Sequence, residues 1–239
     1  MYKNYLFDLD GTLLWLDETA FIEAYMKALS KKMIQLNLNH KEMLSRLWEG
    51  TSAMRENNGL KLNEDVFWSI FCPDKDNQPS LKKSFEEFYI NDFKALKITA
   101  KYTDLSIRII RELQSKNKKI YLLTNPIFPL VATKERLSWA GLSIDDFELV
   151  TTYENSYFAK PNLQYYQYII NQYQLNPKET MMIGNDVDED MIVSSLGLDT
   201  FLVTDYLNNK SHQDINHYRH GSLENLFDYI TEILTNDRD

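Results

Sequence analysis

The chain has 239 residues, enough for one large domain or two modest ones with a real core. Charged residues make up 26% and hydrophobic residues 44%, an ordinary globular balance. The formal net charge of −9, with no lysine- or arginine-rich stripe, makes nucleic acid and anionic membrane poor partners, and it means that any phosphate site needs a local cation and lysine.

The first element is the run Tyr5-Leu6-Phe7-Asp8-Leu9-Asp10-Gly11-Thr12-Leu13-Leu14. It opens as an apolar strand and then presents two carboxylates one residue apart. Residues i and i+2 of a strand share a side, so both carboxylates can reach one pocket at the strand's carboxyl end, where open α/β sheets bind ligands. Gly11 permits a sharp turn just beyond. Adjacent carboxylates repel unless a cation or a shared proton compensates. The chemistry this suits is a metal-assisted nucleophile, Asp8, beside a general acid/base, Asp10; an ordinary strand exit rich in Asp and Gly reads the same way locally.

From residue 15 to about 97 the period becomes helical. Phe21, Tyr25, Leu29 and Met33 fall on one face, and Met43, Leu44, Leu47 and Trp48 form a second. Asn63 is expected to cap a helix carrying Val66, Phe67, Ile70 and Phe71, and Ser80 another with Leu81, Phe85, Phe88 and Tyr89. Loops are expected at residues 56–59 and 73–79. Beyond Thr99 helices alternate with short apolar strands at 120–124, 148–151, 180–184 and 200–203, and a last helix follows Ser222. This alternation predicts an α/β fold with a Rossmann-like, doubly wound parallel sheet. The first strand needs neighbours, so the expected catalytic core is 1–14 plus 98–239, with 15–97 inserted as an all-helical cap.

Each later strand ends in polar chemistry. Thr124-Asn125-Pro126 offers a hydroxyl and an amide to a phosphoryl oxygen, although it also suits a plain turn. Lys160, before Pro161, could offset the Asp8 charge and hold phosphate, or simply be solvated. The stretch Gly184-Asn185-Asp186-Val187-Asp188-Glu189-Asp190 packs four acids into seven positions. Helix-dipole compensation accounts for Asp188 and Glu189; Asp186 is better placed as an oxygen ligand for Mg2+.

These four stretches, in this order, resemble the four motifs of the haloacid dehalogenase-like hydrolase superfamily, in particular its phosphatase branch with a helical cap after the first strand, as in phosphoglycolate phosphatase and β-phosphoglucomutase relatives. Pro126 is a mild departure, and Asn185 stands where the family usually has the first Asp of its fourth motif. The resemblance implies a Mg2+-dependent phosphomonoester hydrolase acting on a small phosphorylated metabolite through an aspartyl-phosphate. Asp8 would be the nucleophile, Asp10 the acid/base, and Thr124, Asn125 and Lys160 would hold the transferring group. Mg2+ would be bound by Asp8, Asp186 and the backbone carbonyl of Asp10, with Asn185 as a competing ligand and Asp190 as a partner of Lys160. Asp10 argues against dehalogenase chemistry. A sugar phosphomutase shares every core residue, and a non-catalytic regulator would be expected to lose a motif. A cap over the site disfavours polymers, and Arg55, beside the 56–59 loop, could bind a second anionic group of the substrate.

Other features point to ordinary roles. His212, His217 and His220 match no tight zinc spacing. The tyrosines at 165, 166, 168 and 173 read as helix packing. Cys72 is alone, without a disulfide framework or an activating pattern. No apolar run approaches the ~20 residues of a membrane span, and Met1-Tyr2-Lys3-Asn4 shows no signal-peptide pattern. A cytoplasmic monomer or weak homodimer is expected.

Overall fold

The structure, a computed structural model, describes residues 1–236. Six parallel strands form one sheet in the order β5-β4-β1-β6-β7-β8, where β1 is Asn4–Phe7, β4 Lys119–Leu122, β5 Leu149–Val150, β6 Thr180–Gly184, β7 Asp199–Val203 and β8 Arg219–Gly221. All four residues of β1 are buried, as expected of a central parallel strand covered on both faces. Tyr5 and Phe7 join one core cluster, with Ile109 and Ile110 of helix α5 (Leu105–Ser115) and Leu226 and Ile230 of α8 (Leu223–Thr235). Leu6 points the other way, into a cluster with Tyr165, Tyr166 and Ile169 of α7 (Leu163–Gln172). The two-residue period of a strand thus sorts β1 between two helical layers.

Register is what builds the site. Phe7 pairs with Leu122 of β4 on one side and with Ile183 of β6 on the other. The three chains therefore leave the sheet together, and β1 sits where the connections diverge to opposite sides, the usual ligand crevice of such sheets.

Between β1 and β4 lie α1 (Glu18–Gln35), α2 (His40–Arg55), α3 (Asn63–Phe71), α4 (Gln78–Asn91) and a 3-10 turn at Phe93–Thr99. Helix α1 starts where Asp17 accepts the Ala20 N–H, and it buries Phe21, Tyr25, Leu29 and Met33 at four-residue spacing. The outgoing and returning chains run side by side as a two-stranded antiparallel ribbon, β2 (Trp15–Leu16) against β3 (Ala100–Lys101). Aromatic rings connect the helices to the sheet region: Tyr25 lies 5.4 Å from Phe128, and Phe93 stacks at 5.4 Å on Trp139 of α6 (Leu130–Trp139).

Several local expectations change. Helix α3 is preceded by Leu62, and Asn63 is its first residue. Its side chain is fully buried and donates to the carbonyls of Pro126 and Phe158, both at 3.1 Å. The first free N–H groups of α3 go to Ser156 and Tyr153 carbonyls, so tertiary partners replace the side-chain cap. Helix α4 starts two residues before Ser80, whose hydroxyl instead bonds the Asn77 carbonyl. β8 falls among the C-terminal histidines and escapes sequence reading, because an exposed edge strand reading Arg-His-Gly carries no apolar pattern. Strands β1 and β4 stop at Phe7 and Leu122, leaving Asp8 and Thr124 just beyond the sheet.

Candidate active site

The carboxyl edge of the sheet opens into a cavity of about 1300 Å³ between the helices and the strand ends. Asp8, Asp10, Thr124, Asn125, Asp186 and Arg55 all line it. Six residues singled out across 178 positions of sequence thus come to one place. Lys160 lies just beneath, fully buried.

Asp8 follows Phe7 directly, its N–H bonded to the Ile183 carbonyl at 2.9 Å. Lys160 reaches it from the loop before α7, with Nζ donating to Asp8 Oδ1 at 2.8 Å and to Asp190 Oδ1 at 2.6 Å. Burial works against the ammonium, but the two carboxylates outweigh it and hold the Lys160 pKa well above its ordinary value. One cation between two buried carboxylates leaves a surplus negative charge. Burial first, and then the charge of Asp8, raise the pKa of Asp190. Asp190 is further fixed by the Asp186 N–H at 3.1 Å. Asn162 caps α7 by accepting the Gln164 N–H, so the helix begins at Leu163, three residues after Lys160.

Asp10 lies in the turn after Asp8. Gly11 there has φ +82°, and a Cβ on it would sit 2.2 Å from Asn185 Nδ2, so glycine is required on both counts. Asp10 Oδ2 is bonded by Arg136 Nη1 from α6, whereas Oδ1 is buried with no hydrogen-bond partner among the described residues. Burial raises the Asp10 pKa to about 6; Arg136 lowers it and the charge of Asp8 raises it further. Thr12 donates to Asn185 Oδ1 at 3.1 Å, tying the turn to the loop after β6.

The acidic loop divides its labour. Asp186 Oδ1 accepts the N–H groups of Asp188 and Glu189, both at 2.8 Å, and Oδ2 accepts Asn208 Nδ2 at 2.6 Å. Its pKa is raised to about 6, first by burial and then in part by Glu189 and Asp8. Asn185 donates to the Tyr206 carbonyl at 2.7 Å. Asp188 holds the chain around Ser211 and Gln213. Glu189 bridges Asn125 Nδ2, at 2.8 Å, and Arg55 Nη1, at 3.2 Å. It does more than the dipole compensation read from the sequence. Arg55 stays part-exposed and still faces the cavity.

Tyr165 and Tyr166 pack in the core as expected, and their hydroxyls tether the loops, Tyr165 to the Thr124 carbonyl and Tyr166 to the Glu189 carbonyl. Cys72 is buried, and its pKa is raised by that burial and by Asp74. Sequence reasoning missed Arg136 and the bridging part of Glu189. A signal for Arg136 existed: it shares the inward face of α6 with Ala132, Thr133 and Leu137, where an apolar residue would be usual.

Among the described residues, no three His, Cys, Asp or Glu side chains form a ready-made metal group. The donors that do converge are hard oxygens, and after burial the charge of Asp8 helps raise the pKa of both Asp186 and Asp190. The Asp8 and Asp186 carboxylates, lining one cavity among further acids, suit a small divalent cation such as Mg2+.

This arrangement defines a class. A family model described as haloacid dehalogenase-like hydrolase matches residues 2–193, and a second, described as HAD-hydrolase-like, matches residues 157–231; the chain belongs to the haloacid dehalogenase-like hydrolase family. It is a hydrolase by family. Among curated proteins it is 25% identical to a glyceraldehyde 3-phosphate phosphatase of Methanocaldococcus jannaschii, over 98% of this chain and 99% of that one. Among solved structures it resembles the HAD-hydrolase YfnB of Bacillus subtilis bound to magnesium, with TM-score 0.56, 22% identity, and 96% and 99% of the two chains covered. It also resembles a HAD phosphatase from Thermococcus onnurineus, with TM-score 0.58, 20% identity, and 95% and 97% covered. At these identities the structural matches speak for the fold.

Proposed function

We propose that this chain is a Mg2+-dependent phosphatase that hydrolyses a small phosphorylated metabolite through an aspartyl-phosphate on Asp8. The observation that carries the reading is the Asp8 carboxylate at the end of the central strand, held by a fully buried lysine and opening onto the cavity beside Asp10.

Lys160 fixes the rotamer of Asp8 and offsets its charge, holding the carboxylate aimed at the phosphorus. A new bond forms from an Asp8 oxygen to phosphorus while the bond to the leaving oxygen breaks. Asp10 gives that oxygen its proton, and a carboxyl with a pKa near 6 is suited to do so near neutrality. Water then attacks the aspartyl-phosphate, Asp10 takes its proton, and phosphate leaves. The Thr124 hydroxyl lines the cavity where it can donate to the transferring group, and Asn125 lines it beside, its amide N–H groups taken by Glu189 and the Lys160 carbonyl. Mg2+, held by Asp8, Asp186 and the Asp10 carbonyl, would neutralise part of the phosphate's charge.

We assign residues 15–97 as the cap and 1–14 with 98–239 as the core, joined at the β2–β3 ribbon. The helices contribute both polar and aromatic side chains to the cavity wall, Phe21, Tyr25, Phe67 and Tyr89 among the latter. Much of the selectivity of the reaction lies there, since Asp8, Thr124 and Lys160 meet only the phosphoryl group. A substrate screen begins with glyceraldehyde 3-phosphate, the substrate named for the curated relative, although the cavity has room for larger esters.

The test is Asp8→Asn, assayed by Mg2+-dependent phosphate release from p-nitrophenyl phosphate. The variant is expected to fold and to lose turnover, because an amide cannot form the acyl-phosphate. A kcat within about tenfold of wild type would refute the nucleophile.

A further inference from the structure

Arg136 has no part in the reaction outlined above, yet it is one of the most deeply buried side chains in the molecule, 1% exposed. Its guanidinium is held on three sides. Nη1 bonds Asp10 Oδ2, Nη2 donates to Thr133 Oγ1 at 3.2 Å, and the plane lies 4.5 Å from the centre of the Phe128 ring. Stability does not explain this cost: a buried ion pair is seldom worth more than a well-packed apolar pair of the same volume. The carboxylate it meets belongs to the site, and the two oxygens of that carboxylate are treated differently. Oδ2 is anchored, whereas Oδ1 is buried with no hydrogen-bond partner among the described residues.

We propose that Arg136 is a positioning residue for the leaving-group acid: by pinning Oδ2 it fixes the Asp10 carboxyl group in the cavity wall, where the ester oxygen departs. Thr133 and Phe128 hold the guanidinium, and the guanidinium holds the carboxylate. When Asp10 gives up its proton to the leaving oxygen as the P–O bond breaks, the carboxylate left behind is already paired with Arg136. Reversal of that proton transfer, from water to Asp10, completes the second half-reaction. The inference rests on Asp10 being the acid.

The experiment compares kcat/KM for p-nitrophenyl phosphate, whose leaving group needs little protonation, with that for a simple alkyl phosphate, whose leaving group needs it most. Wild type, Asp10→Asn, Arg136→Met, Arg136→Lys, Thr133→Val and the double variant Arg136→Met/Asp10→Asn are measured at saturating Mg2+. The inhibition constant of inorganic phosphate and the Tm of each are recorded. Arg136→Met is expected to lower kcat/KM for the alkyl ester by about 10–100-fold, the scale of an ångström-level misplacement. Loss on p-nitrophenyl phosphate should stay under about threefold, and the phosphate inhibition constant should be unchanged. The double variant should be no slower than Asp10→Asn alone, since groups acting as a unit are not additive. Arg136→Lys should fall in between. Thr133→Val should show the same leaving-group selectivity more weakly, and it keeps the test alive if the methionine variant does not fold.

Equal losses on both esters, or losses that multiply in the double variant, would make Arg136 a structural tie and overturn the proposal. A weakened phosphate inhibition constant would overturn it in favour of direct substrate contact. If Asp10→Asn itself shows no leaving-group selectivity, the assignment of Asp10 fails and takes this inference with it. Selectivity in Asp10→Asn but not in the Arg136 variants would sink the inference alone.

Discussion

Lys160→Met keeps the stem of the buried side chain and removes only its charge. In the folded protein that charge bonds Asp8 at 2.8 Å and Asp190 at 2.6 Å, and both Lys160 and Asp190 are 1% exposed. Without it, Asp190 keeps the Asp186 N–H at 3.1 Å and a long contact to the Tyr166 hydroxyl at 3.4 Å, which cannot balance a carboxylate out of water. Breaking a buried pair from one side costs about 3–5 kcal/mol. For a chain of this length each kcal/mol moves Tm by roughly 2–4 °C, so a fall of about 6–20 °C is expected, read by thermal unfolding in EDTA to hold the metal content constant. Turnover of p-nitrophenyl phosphate should fall as well. If the loss comes from uncompensated charge, Lys160→Met/Asp190→Asn should recover most of the stability while activity stays low. A double variant as unstable as Lys160→Met alone would refute the charge argument and point to packing.

Three further outcomes are expected. Asp186→Ala should raise the Mg2+ concentration needed for half-maximal activity far more than Asn185→Ala or Asp188→Ala; if Asn185→Ala has the largest effect in a Mg2+ titration, the assigned register is wrong by one residue. Asn63→Ala strands the Pro126 and Phe158 carbonyls and the Asn57 amide, which meets Asn63 Oδ1 at 2.8 Å, and should cost at least about 2 kcal/mol in a urea titration. Asp146 sits below its ordinary pKa of 3.8 because the Ser143 N–H, Arg111 (Nη1 at 2.5 Å) and Gln114 outweigh the opposing effect of burial. A lowered carboxyl pKa stabilises the fold above the ordinary value and loses that effect as pH falls through the folded one. Asp146→Asn should therefore be less stable by about 1 kcal/mol at pH 7, Arg111 being half exposed. The gap between the two proteins should close below about pH 4, and an unchanged gap at pH 3 would contradict the linkage.

The sequence alone determined the things that are local and periodic. Apolar runs of four or five residues, each followed by Asp, Thr, Lys or Gly-Asn-Asp chemistry, marked the strand ends, and four-residue spacing marked α1 and α8. Parallel pairing then required those ends to lie on one edge, which is why Asp8, Thr124 and Asp186 were readable as neighbours before any coordinates. What only the tertiary structure decided is how charges share partners across long distances. Nothing near Arg136 in the chain announces Asp10, which lies 126 residues earlier. Glu189 looked like one more acid in a cluster until packing set it between Asn125 and Arg55. Asn63 looked like a helix cap, and the fold gave its amide to two carbonyls from elsewhere in the chain. β8 pairs through backbone alone at an exposed edge, so its side chains needed no pattern. In each case the deciding energy is the cost of leaving a buried polar group unpaired, and a linear sequence does not show which groups become buried together.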